Sequence, residues 1–119
     1  MARAFTIVLG ILLIILGIMG FLPEFRTAGN LFGIFAVNLE LNVAHLVTGI
    51  LGLLCGLSSS LAARVYFIVI GILYGLLAIL GLAHSDSMLL CMFANNIANN
   101  WLHAGISLFS LYFGLTFKN

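Results

Sequence analysis

The chain uses one polar spacing twice, Asn-x3-Asn-x2-His, in a sequence that is otherwise almost wholly apolar. Asn38, Asn42 and His45 form the first copy, and Asn96, Asn100 and His103 the second, 58 residues later. On a helix of 3.6 residues per turn, positions i, i+4 and i+7 stack along one face. Each copy is therefore a polar stripe about 10 Å long, at roughly 1.5 Å of rise per residue. Charged residues are 6% of the chain and hydrophobic residues 64%, with a mean hydropathy of +1.31. A soluble domain covers its surface with roughly a quarter of its residues charged, so this chain reads as an integral membrane protein.

The apolar runs set the expected architecture. Residues 4–22 are long enough to cross a hydrocarbon core, which takes about 20 helical residues. Arg3 ahead of this run raises a secretory signal as an alternative, but no small-x-small cleavage site follows. The run also recurs: residues 2–21 match 63–82 at ten of twenty positions, among them Arg3 with Arg64 and Gly20 with Gly81. A permanent helix is expected. Pro23 ends it, and residues 24–30 form a polar turn region. Residues 31–37 are apolar but too short to span, so an interfacial helical turn or re-entrant piece is expected there and at 89–95. Further spans are expected at about 38–57, 61–82 and 96–117, joined by Ser58-Ser59-Ser60 and by the turn around His84.

The fold class expected is thus all-α: a transmembrane four-helix bundle forming one domain over 1–119. Two tandem repeats, 1–61 and 62–119, would be related by a pseudo-twofold axis along the membrane normal. Basic residues in short loops favour the cytoplasmic side. Arg3, Arg64 and Lys118 fall on one side against Arg26 on the other, so both termini are expected in the cytoplasm.

Followed along each helix, the stripe becomes a longer seam. Asn38, Asn42, His45, Gly49, Gly52 and Gly56 lie within about 80° of one another, as do Asn96, Asn100, His103, Ser107, Ser110 and Gly114. Small residues let helices approach closely in lipid, and buried amides and imidazoles need partners there. The second and fourth helices are therefore expected to pack face to face, with the first and third outside them.

Several functions remain open for the six stripe residues. They can be structural, with Asn38 and Asn96 capping helix starts. They can form a small-ligand or ion binding or transport site, with Glu40, His84 and Asp86 as outer partners. His45 and His103 can also be the axial ligands of a b-type haem serving electron transfer. A divalent metal at the same histidines would want carboxylate or thiolate company, which only Glu40 could supply. The primary expectation is no cofactor and no metal. Glu40 complements the helix dipole in its first turn, and Tyr66 and Tyr74 read as interfacial and packing aromatics. Cys55 and Cys91 are expected at opposite ends of the bundle, too far apart for a disulfide.

No nucleophile stands beside a base at a recognisable spacing, and there is no phosphate loop or His-Glu-x-x-His helix, so a non-enzyme is expected. A net charge of +1 without a basic cluster argues against nucleic acid. The partners expected are membrane lipids and either further copies of the chain or a larger membrane complex.

Certain motifs resemble a known family. Gly17-Ile-Met-Gly-Phe-Leu-Pro23, Asn42-x-x-His45-Leu-x-x-Gly49, Ala63-Arg64-x-Tyr66 with Gly71-x-x-Tyr74, and Asn100-Trp101-Leu102-His103 are similar to the bacterial membrane proteins grouped as "domain of unknown function 4383". The resemblance covers nearly the whole chain and implies a bacterial multi-pass inner-membrane protein. It carries no activity. Where the family pattern has Asp before Asn-Trp-Leu-His, this chain has Asn99.

Overall fold

The computed structural model describes residues 1–84 and 93–117. Four helices make up most of them: α1 (Ala2–Phe21), α2 (Leu39–Ser58), α3 (Ser60–Ala83) and α4 (Ile97–Thr116). A 3-10 turn over Pro23–Phe25 and a small antiparallel sheet of three strands, β1 (Arg26–Thr27), β2 (Asn30–Leu31) and β3 (Phe35–Ala36), lie between α1 and α2. The helix bounds fall within two residues of those expected from sequence.

Local chemistry sets each boundary. Pro23 cannot continue α1 because its ring fixes φ and removes a backbone donor. Asn38 caps α2, its Oδ1 accepting the Leu41 N–H at 2.9 Å. Asn96 caps α4 in the same way, accepting the Asn99 N–H at 2.8 Å. Ser59 alone separates α2 from α3, and its Oγ accepts the Ala62 N–H at 3.0 Å. The expected serine turn thus shrinks to one capping residue. At the far end of α2, Arg3 Nε and Nη2 donate to the Gly56 and Leu57 carbonyls at 2.9 and 2.8 Å. These are carbonyls that a helix end leaves unsatisfied.

α1, α2 and α3 are long and apolar enough to cross a membrane. α4 matches α1 in length, but Asn99, Asn100, His103, Ser107 and Ser110 make it more polar. All five are buried, and the residues α4 exposes include Ile97, Trp101, Leu108 and Leu115.

Helix pairing departs from expectation. α1 packs most closely on α2, and α3 on α4, whereas α2 and α4 do not lie face to face. The core cluster joins Leu9 and Leu13 of α1 to Tyr66, Phe67, Ile70 and Tyr74 of α3. The first and third helices therefore share the apolar core and do not lie outside a seam of α2 and α4 as expected. Glycine placement explains the outcome. A Cβ on Gly10 would lie 2.6 Å from the Gly49 carbonyl oxygen, and one on Gly49 would lie 2.7 Å from that of Gly10. The α1 and α2 backbones touch there. Gly56 meets Ile7 and the Arg3 carbonyl in the same interface, while Gly52 receives the Tyr66 ring from α3. The small half of the α2 seam is thus spent on α1 and α3. On α4, Ser107 Oγ donates to the Gly71 carbonyl at 2.6 Å and Gly114 seats Ile68, both on α3.

The segment 31–37 is also corrected: it forms β2 and β3 instead of a helical turn. Ala28-Gly29 and Phe32-Gly33 all adopt positive φ, between 54° and 82°, which closes two tight turns. The register pairs Thr27 with Asn30 and Leu31 with Phe35. Most of the counterpart segment 89–95, together with Asp86, Cys91 and Lys118, lies outside the described residues. Cys55 is a half-buried free thiol.

Substituting Gly49 by Leu should lower stability by about 2 kcal/mol or more, because the added atoms meet backbone that cannot retreat. Gly105 has open space around its Cα, so Gly105→Ala should be neutral or stabilising by up to about 1 kcal/mol. Unfolding of both variants in mixed micelles, followed by circular dichroism, checks the contrast.

Candidate functional site

His45 projects from the second turn of α2 and His103 from the second turn of α4. Their Nε2 atoms meet at 3.3 Å, with ring centroids 5.5 Å apart and planes inclined at 61°. The contact works as a hydrogen bond when one ring presents Nε2–H and the other its Nε2 lone pair. Tyr74 of α3 closes one side, its ring edge-on to His103 at 5.3 Å. The two histidines are brought together across the bundle although their helices are not in general contact.

Tyr74 is itself fixed. Its hydroxyl lies 2.7 Å from Thr48 Oγ1, which donates to the Ala44 carbonyl at 2.8 Å, so the tyrosine O–H is the donor in the first bond. Tyr66 O–H donates to the Thr48 carbonyl at 2.6 Å. Two tyrosines of α3 thus hold the turn of α2 that carries His45.

The asparagines divide into two kinds. Asn38 and Asn96 are helix caps. Asn42 and Asn100 press their side-chain amides onto helix glycines: a Cβ at Gly20 would collide with Asn42 Oδ1, and one at Gly81 with Asn100 Oδ1. Glycine leaves its Cα hydrogens free to approach such an oxygen, a weak but recurrent contact between helices. Asn42 Oδ1 and Asn100 Nδ2 are buried with no conventional hydrogen-bond partner among the described residues.

Asn99 was absent from the expected cluster, yet it is 2% exposed and central to it. Its Nδ2 donates to the Ala36 carbonyl at 2.8 Å, while Asn96 Nδ2 donates to the Ile34 carbonyl at 2.9 Å. The strand segment following α1 is therefore fastened to the start of α4. Leu31, 1% exposed, sits under this roof. Beneath it, Leu31, Ala36, Asn42, His45, Asn99 and His103 line a cavity of about 10 Å³, room for one water. Asn99 Oδ1 is buried without a partner among the described residues.

Of the outer partners considered, Glu40 and His84 are both exposed, away from this buried pair, and Asp86 lies outside the described residues. The His84 carbonyl accepts from Asn95 Nδ2 at 2.9 Å, and that of Gly81 at 3.2 Å, so Asn95 secures the end of α3. Asn99 was left out of the cluster because it lies off the i, i+4, i+7 face. Its signals were the doubled Asn99-Asn100 and its place where the family pattern has Asp. Thr48 looked like an ordinary helix residue, and Tyr74 a packing aromatic.

Replacing Asn99 by Ala should release the roof at a cost of about 1 kcal/mol, the scale of one hydrogen bond between membrane segments. Hydrogen exchange checks it: amides of residues 30–36 should exchange faster while those at the centre of α3 keep their protection.

No curated protein and no solved structure matches the chain. Residues 3–116 match the sequence family described as "domain of unknown function (DUF4383)", so the motif resemblance holds over nearly the full length and the chain belongs to that family.

Proposed function

We propose that the chain is a multi-pass protein of the bacterial inner membrane that serves as a structural or accessory component of a larger membrane assembly. α4 crosses the membrane with the other three helices; its burial of Asn99, Asn100, His103, Ser107 and Ser110 beneath a largely apolar outer face supports this. Both termini lie in the cytoplasm, on the count of basic residues. The two halves descend from a duplicated helical pair. Gly10 with Gly49 corresponds to Gly71 with Ser107, Gly20 with Asn42 to Gly81 with Asn100, and Ile7 with Gly56 to Ile68 with Gly114.

The observation that carries the accessory role is the small size of the cavity at the histidine pair. The cavity beside His45 and His103 has room for one water, and helices and strands enclose it. A cleft of about 170 Å³ past Gly20, Arg26, Asn38 and Asn42 is partly polar, whereas two larger spaces are apolar and face outward. One groove of about 380 Å³ runs between α1 and α4, past Phe5, Leu12, Trp101 and Phe109. Another of about 550 Å³ runs between α2 and α3, past Thr48, Leu51, Tyr66 and Leu73. These grooves suit helices of a partner or of a further copy, whose close packing supplies the association energy in lipid. A haem fits the histidine pair poorly. With metal–nitrogen bonds of about 2 Å, axial nitrogens sit about 4 Å apart across a macrocycle, and the cavity between these rings has no room for one.

A second reading, a binding or transport unit, is favoured by the orphaned amide atoms of Asn42, Asn99 and Asn100 among the described residues. It requires the roof to move.

Native mass spectrometry from lipid nanodiscs tests the accessory role. A dimer or a defined complex is expected, weakened by Gly105→Phe, which fills the α1–α4 groove. A clean monomer carrying only lipid overturns it. Fusion of a periplasm-active reporter to the C-terminus should stay silent if the termini are cytoplasmic.

A further inference from the structure

The two helical pairs finish differently at the end away from the termini. In the second pair, Asn95 Nδ2 donates to the Gly81 and His84 carbonyls at 3.2 and 2.9 Å, and its Oδ1 joins that of Asn100 beside Gly81. The matching position ahead of α2 is Val37, which has no polar group to offer. A cleft of about 170 Å³ opens there between the end of α1 and the start of α2. Gly20, Phe21, Arg26, Asn38, Leu39 and Asn42 line it.

The cleft gathers donors. Arg26 is exposed, and its Nη2 reaches the Phe21 carbonyl only at 3.4 Å, its one hydrogen bond among the described residues. Asn42 is 3% exposed. Its Oδ1 rests on Gly20, where Cα hydrogens call for an oxygen, so Nδ2 is the other end of the amide. That nitrogen has no hydrogen-bond partner among the described residues and, unlike Oδ1, is not sealed from open space. The cleft is the larger of the two spaces that Asn42 borders. The first turn of α2 adds the N–H groups of Leu39 and Glu40, which a helix start leaves without intrahelical acceptors. Glu24 and Glu40 are exposed, and neither lines the cleft.

A guanidinium, an amide nitrogen and a helix start around one space suit a tetrahedral oxyanion. Position selects its source. α1 and α2 are long and apolar enough to cross a membrane, and the cleft lies where one ends and the other begins. That is the level of lipid head groups. From there Leu39, Val43, Val47 and Ile50, all exposed, run down one face of α2. An acyl chain would use that surface, and a free anion would not.

We propose that this cleft holds the phosphodiester of a membrane phospholipid, bound by Arg26, Asn42 Nδ2 and the first turn of α2, with an acyl chain along α2. The site rests on the membrane-spanning reading and not on the accessory role. A monomer carrying one such lipid would support the site while overturning that role.

The test uses the full chain in dodecyl maltoside, a detergent without phosphate, titrated with phosphatidylglycerol under native mass spectrometry. One lipid per chain is expected, with affinity about 10-fold weaker in Arg26→Gln, the scale of a lost charge-assisted hydrogen bond. Arg26 is exposed, so circular dichroism of that variant should match the parent. Arg64→Gln, at the opposite end of the bundle, should leave the affinity unchanged. Nitrogen NMR should show the Asn42 side-chain amide shifting as lipid is added. Neither diacylglycerol, which lacks the phosphate, nor inorganic phosphate, which lacks the chains, should displace the lipid. Failure to retain a lipid overturns the proposal, as does equal weakening in both arginine variants, which marks a general charge effect. An unmoved Asn42 amide places the lipid elsewhere, and displacement by inorganic phosphate identifies a free-anion site; either result also overturns it.

Discussion

In hydrocarbon, an apolar side chain gains little by leaving lipid for protein, so helices associate where their backbones can touch. The contact between Gly10 and Gly49 is the foundation of the first half of this molecule. It brings α1 and α2 together closely enough for the Asn42 amide oxygen to rest against Gly20 and for Arg3 to reach the end of α2. α3 and α4 achieve the same with a hydroxyl, Ser107 donating to the Gly71 carbonyl. Both pairs present a histidine at equivalent height, and the core between α1 and α3 sets the distance at which those histidines meet.

This arrangement explains how polar side chains survive inside so apolar a bundle. Most find a backbone or side-chain partner, or rest on a glycine. Tyr66 and Tyr74 span from α3 to α2 through Thr48, a cross-link that restrains His45 from below. The loop strands restrain the pair from above. The amide atoms left without a partner among the described residues belong to Asn42, Asn99 and Asn100, each about one helical turn from a histidine. Native structures leave few such groups without reason.

Much of this could be read in the sequence. Asn38 and Asn96, placed before apolar runs, announced the helix starts, and the matched Arg, Gly, Asn and His positions announced the recurring contacts. His45 meets His103 without the face-to-face packing of α2 and α4 from which their approach was expected. Pairing did not follow, because a face of small residues says that a helix will be approached closely without saying by which neighbour. Gly49 finds its complement in Gly10, whereas the matching position of α4 is Ser107, so the α2 seam had no glycine facing it there. The short strands were missed because Leu31 to Val37 is a uniformly apolar run, and the turn signals Ala28-Gly29 before it and Phe32-Gly33 within it are weak. Asn99 was missed because the carbonyl it holds most closely, that of Ala36, stands 63 residues earlier in the chain, a pairing that no local pattern encodes.

The attachment of the strand segment to α4 has a consequence for biogenesis. Synthesis proceeds from the N-terminus, so Arg26 to Ala36 emerge long before the Asn96 and Asn99 amides that fasten them. Until the last helix is in place, His45 stands uncovered beside an unlatched loop. Closure of the roof is thereby a record, written in two hydrogen bonds, that the final segment has arrived in register with the first half. A chain halted before that point would expose a distinct, open surface to the quality-control machinery of its membrane.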